Sequence, residues 1–99
     1  MARWIVLLTQ TAGYPAEASG VHPLAEFEGS AEEAAAGFAE MVSTYDHDVR
    51  KVTRREVFKC SDRSYFVRVK GRIREFEYLF QLAELVADTK SPDLPDTIG

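Results

Sequence analysis

Outside one stretch of twenty-five residues this 99-residue chain is nearly without positive charge: Arg3 and Lys90 are the only basic side chains beyond residues 50–74. Cysteine is almost as scarce. Cys60 alone excludes an internal disulfide framework, and with no CxxC or Cys/His cluster the sequence offers no zinc-ligand spacing. Long apolar runs are missing too. Trp4-Ile5-Val6-Leu7-Leu8 falls far short of the roughly 20 residues a membrane helix needs, and no small-residue cleavage site follows it. It reads as a strand of a mature cytoplasmic protein that makes no use of a membrane. Glycine-rich phosphate loops of the GxGxxG or GxxxxGK[ST] type do not occur. What remains is 45% hydrophobic and 28% charged, ordinary values for one globular domain. Residues 1–90 are expected to form a single α+β domain. Residues 91–99, with Pro92, Pro95 and no periodicity, are expected to be a flexible tail.

The charge that is present is strongly segregated. Ten of the twelve basic residues lie between Arg50 and Arg74, facing only Glu56 and Asp62 there. Residues 1–49 set Arg3 against eight acids, and residues 75–99 set Lys90 against six, so a block of +8 separates blocks of −7 and −5. A positive block between two negative ones either binds something anionic or is neutralised by its own neighbours.

Periodicity suggests a duplicated ββα unit. The first copy reads as strands at 3–10 and 21–28 and a helix at about 31–45. The second reads as strands at 49–60 and 64–71 and a helix at about 73–88. Aligning Gly29 with Gly71 sets Ala25 and Phe27 over Val67 and Val69. The expected fold is α+β: a four-stranded antiparallel sheet with two helices on one face. Ser30 with Glu33 forms a capping box for the first helix, and Ala34, Phe38, Met41, Val42 and Tyr45 make its apolar stripe. In the second helix Phe76, Leu79, Phe80, Ala83 and Ala87 make the stripe. Tyr78, Leu82 and Leu85 then widen it beyond one core face, which points to a dimer or partner contact.

The basic hairpin is the strongest candidate site. Tyr65, Val67 and Val69 alternate with Phe66, Arg68 and Lys70, giving one apolar and one basic face. Parity puts Lys51, Arg55 and Lys59 with Arg68 and Lys70 on an open sheet face around Val57 and Phe66, a surface suited to a partner. The same alignment matches Glu26 with Arg68 and Glu28 with Lys70, so cross-strand opposite-charge pairs are expected within the sheet or across a dimer. Asp46-His47-Asp48 reads as a solvated turn rather than a metal trio. Cys60 has no base nominated beside it, and no catalytic or metal-binding constellation or cofactor motif emerges.

Three functions follow in order. The first is a non-enzymatic protein-interaction module of accessory, regulatory, inhibitor or immunity type, expected to be a homodimer and to bind a protein partner. The second is a single-stranded nucleic-acid binder using the basic 50–74 hairpin, by phosphate neutralisation and base stacking. Against it stand the missing RNP-type pattern and a net charge of −4. The third is a small ligand-binding dimer or enzyme with a pocket under Trp4, Tyr14 and Tyr78.

Overall fold

A computed structural model describes residues 2–12, 20–45 and 52–98. The elements run β1 (Arg3–Ala12), β2 (Val21–Glu28), α1 (Ala31–Thr44), β3 (Arg54–Ser61), β4 (Ser64–Lys70) and β5 (Glu75–Glu84). All five strands join one antiparallel sheet in the order β2-β1-β5-β4-β3. This corrects the expected fold: among the described residues the sheet has five strands, not four, and there is one helix rather than two. The duplication fails with it, because the second half is built β3-β4-β5 where the first is β1-β2-α1.

The segment 73–88 was expected to be a helix and forms the central strand instead. Phe76, Tyr78, Phe80 and Leu82 are buried while the residues between them are not, a period of two. Aromatic side chains at alternate positions favour a pleated surface. Position then decides the outcome, since β5 pairs along its length with β1 on one side and β4 on the other. Two apolar strands would have no shared neighbour if this segment coiled.

The capping box that opens α1 is complete. The Glu33 backbone N–H donates to Ser30 Oγ at 3.1 Å, and the Ser30 N–H donates to Glu33 Oε1 at 3.0 Å. Those two bonds hold the exposed Glu33 carboxyl below the ordinary glutamate value, the Ser30 backbone bond being the larger cause. Ala34, Phe38 and Val42 are the buried stripe of the helix, with Met41 and Tyr45 packed at its margin. They lie on Trp4, Val6 and Leu8 of β1, Val67 and Val69 of β4, and the four buried residues of β5. This cluster is the core, and it sits on one face of the sheet.

Candidate interaction surface on the uncovered sheet face

Residues paired across an antiparallel ladder share a face, so the register determines what the side of the sheet opposite α1 presents. Thr9 pairs with Val21 and Leu79, Leu79 with Phe66, and Phe66 with Phe58. Val21, Thr9, Leu79, Phe66 and Phe58 therefore form one row across all five strands. Its ends are exposed, Val21 at 60% and Phe58 at 45%. Ile5 and Leu7, half-buried, extend the apolar surface along β1.

Toward the β3–β4 end, this row meets a charged cluster centred on Arg68. Arg68 faces Glu77 on β5 and Glu56 on β3. Its Nε lies 3.2 Å from Glu77 Oε2 and 3.5 Å from Glu75 Oε1, and its Nη1 lies 3.3 Å from Glu56 Oε1. The hydrogen bond to Glu77, followed by that to Glu56, raises the guanidinium pKa further, so the group is a fixed cation. Glu56 also takes Arg54 at 3.4 Å, and Lys70 stands opposite Glu75. Three cations thus meet three carboxylates. The guanidinium also lies over the Phe58 ring, 5.6 Å from its centroid, joining the cluster to the apolar row.

The residues expected to share the open face divide between the two sides of the sheet. Phe66, Arg68 and Lys70 lie on the uncovered side. Arg55, Val57 and Lys59 pair with Val69, Val67 and Tyr65 and so lie on the α1 side. Lys51 lies outside the described residues. The cause is a bulge at Cys60: Ser61 pairs with Ser64, but beyond the bulge Lys59 pairs with Tyr65, a shift of one residue. Extending the pairing at the turn without that shift would have set Arg55 against Lys70 and Val57 against Arg68. A one-residue slip moves every side chain to the other face.

Arg55 has a structural task. It donates through Nη1 to the Ser43 carbonyl and through Nη2 to the Tyr45 carbonyl at 3.0 Å. It thus satisfies carbonyls at the end of α1, whose last turn holds no basic residue of its own. Tyr45 is further fixed edge-on against Tyr78 and Phe80, at ring separations of 5.4 and 5.6 Å. Lys59 is bound to Asp62 at 3.0 Å, and that bond raises its pKa.

The expected helical flank is absent as well. Tyr78 and Leu82 are 3% and 5% exposed, in the core, and neither is open to a partner. Leu85 follows β5, half-buried, and its N–H extends the ladder to the Arg3 carbonyl at 2.8 Å. The expected Glu26–Arg68 and Glu28–Lys70 pairs do not form within the sheet, since β1 and β5 separate β2 from β4. Glu26 instead lies 3.8 Å from Arg3.

Trp4 lines an open cleft from which Tyr78 is absent. Both are buried, and the Trp4 indole N–H donates to the Gly29 carbonyl at 3.1 Å. Tyr14 lies outside the described residues, as do Asp46, His47 and Asp48. An open cleft of about 350 Å³ runs between Arg3, Ile5 and Glu26 on one side and Leu85, Ala87 and Ile98 on the other. Among the described residues no three His, Cys, Asp or Glu side chains converge as a metal site, and no helix is long and apolar enough to cross a membrane. Comparisons with protein-family models, curated proteins and solved structures find no match to this chain.

Proposed function

We propose that the chain is a non-enzymatic protein-interaction module of accessory, regulatory, inhibitor or immunity type, contacting its partner through the uncovered sheet face. The observation that carries this reading is the row Val21–Thr9–Leu79–Phe66–Phe58, bordered by the Arg68 cluster. Aromatic and aliphatic side chains supply desolvation energy at an interface, and a charged border supplies register and selectivity. Because Arg68 is engaged by three glutamates, the face suits a mixed apolar and polar protein surface better than a polyphosphate. A free cysteine, exposed on β3, suits the reducing cytoplasm.

The Phe58–Phe66 pair, with ring centroids 6.1 Å apart, is the feature that would favour base stacking in a nucleic-acid binder. A photo-reactive phenylalanine analogue at Phe66, with a control at exposed Ala35 on α1, separates the readings in cells. A defined protein adduct from position 66 and none from 35 is the expected result. A nucleic-acid adduct from 66, or a protein adduct only from 35, would contradict it.

A further inference from the structure

We propose that β3 is a self-pairing edge, joining two copies of this chain into a dimer with one continuous ten-stranded sheet. The proposal goes beyond the partner face and does not depend on it.

The direction of each backbone group follows from hydrogen bonds at the ends of the ladders. Leu85 N–H donates to the Arg3 carbonyl, so the odd residues of β1 point toward β5 and its even residues toward β2. Leu82 N–H donates to the Arg63 carbonyl, and Gly29 N–H donates to the Ala2 carbonyl, in agreement. Carried across β5 and β4, the alternation points Arg54, Glu56 and Phe58 inward to β4. The N–H and C=O groups of Arg55, Val57 and Lys59 point out from the sheet edge.

The two edges of the sheet are unequal. On β2 the same alternation turns Pro23 outward, where it offers no N–H, and a register shift breaks the strand beside it. Glu26 and Glu28, which also point their backbones outward, would face their own copies in a β2–β2 pair. The outer positions of β3 all carry N–H groups. The cations that guard many edges are drawn back here, Arg55 to the end of α1 and Lys59 to Asp62. Val57 and Phe58 remain, 43% and 45% exposed, one on each side of the sheet.

Topology selects the occupant. Given antiparallel neighbours in the order β2-β1-β5-β4-β3, β2 and β3 run in the same direction. Pairing unlike edges makes a parallel contact when α1 stays on one side and an antiparallel one when the copies alternate in side, and both stay open at the two ends. Pairing β3 with a second β3 is antiparallel around a two-fold axis, and it closes. The axis at Val57 sets Val57 against the second copy's Val57 and Arg55 against its Lys59, using all three outward residues. This ladder stops short of the bulge at Cys60. Centring the axis on Glu56 would set Lys59 against Thr53, whose N–H already donates to the Lys70 carbonyl at 2.8 Å.

Amide hydrogen exchange on the full chain reads the contact without any variant. The expected result is slow exchange at Arg55, Val57 and Lys59 as well as at Glu56 and Phe58, with the outer three quickening on dilution. Sedimentation should show twice the chain mass. Val57→Pro and Lys59→Pro each remove an outward donor and leave the β4 ladder intact, so whichever variant folds should run as a monomer. Val57→Thr, which keeps the donor, should remain a dimer. A monomeric wild type with fast exchange at the outer three residues would overturn the proposal. So would a dimer that survives in the folded proline variant, including a dimer formed through the uncovered face.

Discussion

Arg68 and Glu77 stand directly opposite each other on β4 and β5, with Nε and Oε2 3.2 Å apart. That one pairing decides how the charge segregation of the sequence is resolved. The strand carrying Glu75 and Glu77 is the one that docks beside the basic hairpin, and Glu56 completes the set from the other side. The +8 block is therefore partly neutralised inside its own sheet, and its aromatic residues take over as the distinctive feature of the surface.

Phe80→Ala and Leu79→Ala separate the strand from a helix. Phe80 is fully buried and its truncation should cost about 3–5 kcal/mol. Leu79 lies on the uncovered face, half-exposed, and its truncation should cost about 1 kcal/mol or less. On a helix both would have belonged to one apolar stripe and cost similar amounts. Urea unfolding of the two variants measures the difference.

Arg55→Ala should destabilise the protein by about 1 kcal/mol, the scale of a lost helix-end contact. The loss should be local. Amide exchange in the last turn of α1 should quicken before that of β4 or β5, and Arg55→Lys should recover only part of the protection, since an ammonium cannot span two carbonyls as a guanidinium fork does.

Glu33→Gln should lower stability near neutral pH and matter less in acid. The Glu33 pKa is lower folded than unfolded, so its contribution is complete above the ordinary glutamate value. It is lost as pH falls through the lowered folded value. Urea midpoints of wild type and variant should differ at about pH 7 and draw together as the pH falls below the ordinary glutamate value. Ser30→Ala, which removes the other half of the box, should cost about 1 kcal/mol.

Elements with a single period were legible in the sequence. The stripe of α1, its capping box, the apolar β1 and the alternation of β4 all fall where the residues place them. Residues 75–84 carry two periods at once. Phe76, Phe80 and Ala83 satisfy a helix, whereas Phe76, Tyr78, Phe80 and Leu82 satisfy a strand, and only the neighbouring strands choose between them. Reading a helix over 73–88 also hid the partners of Arg68, because it placed Glu75 and Glu77 on a helix rather than on a strand beside β4. Their alternation with Phe76 and Tyr78, matching Arg68 and Lys70 two residues apart, was the available signal. The bulge at Cys60 left no mark of its own. Strand parity carries no record of a one-residue shift, and so half of the expected surface fell on the wrong face.

The most direct measurement is fluorescence anisotropy of labelled mixed-sequence DNA and RNA at about 50 and about 200 mM salt, on wild type and on a Glu75→Gln, Glu77→Gln variant. If the glutamates of β5 neutralise the basic hairpin, wild type should not bind, and the variant should gain binding that weakens steeply with salt. Wild-type binding as tight as the variant's, with the same steep salt dependence, would contradict that neutralisation and make the hairpin a nucleic-acid surface.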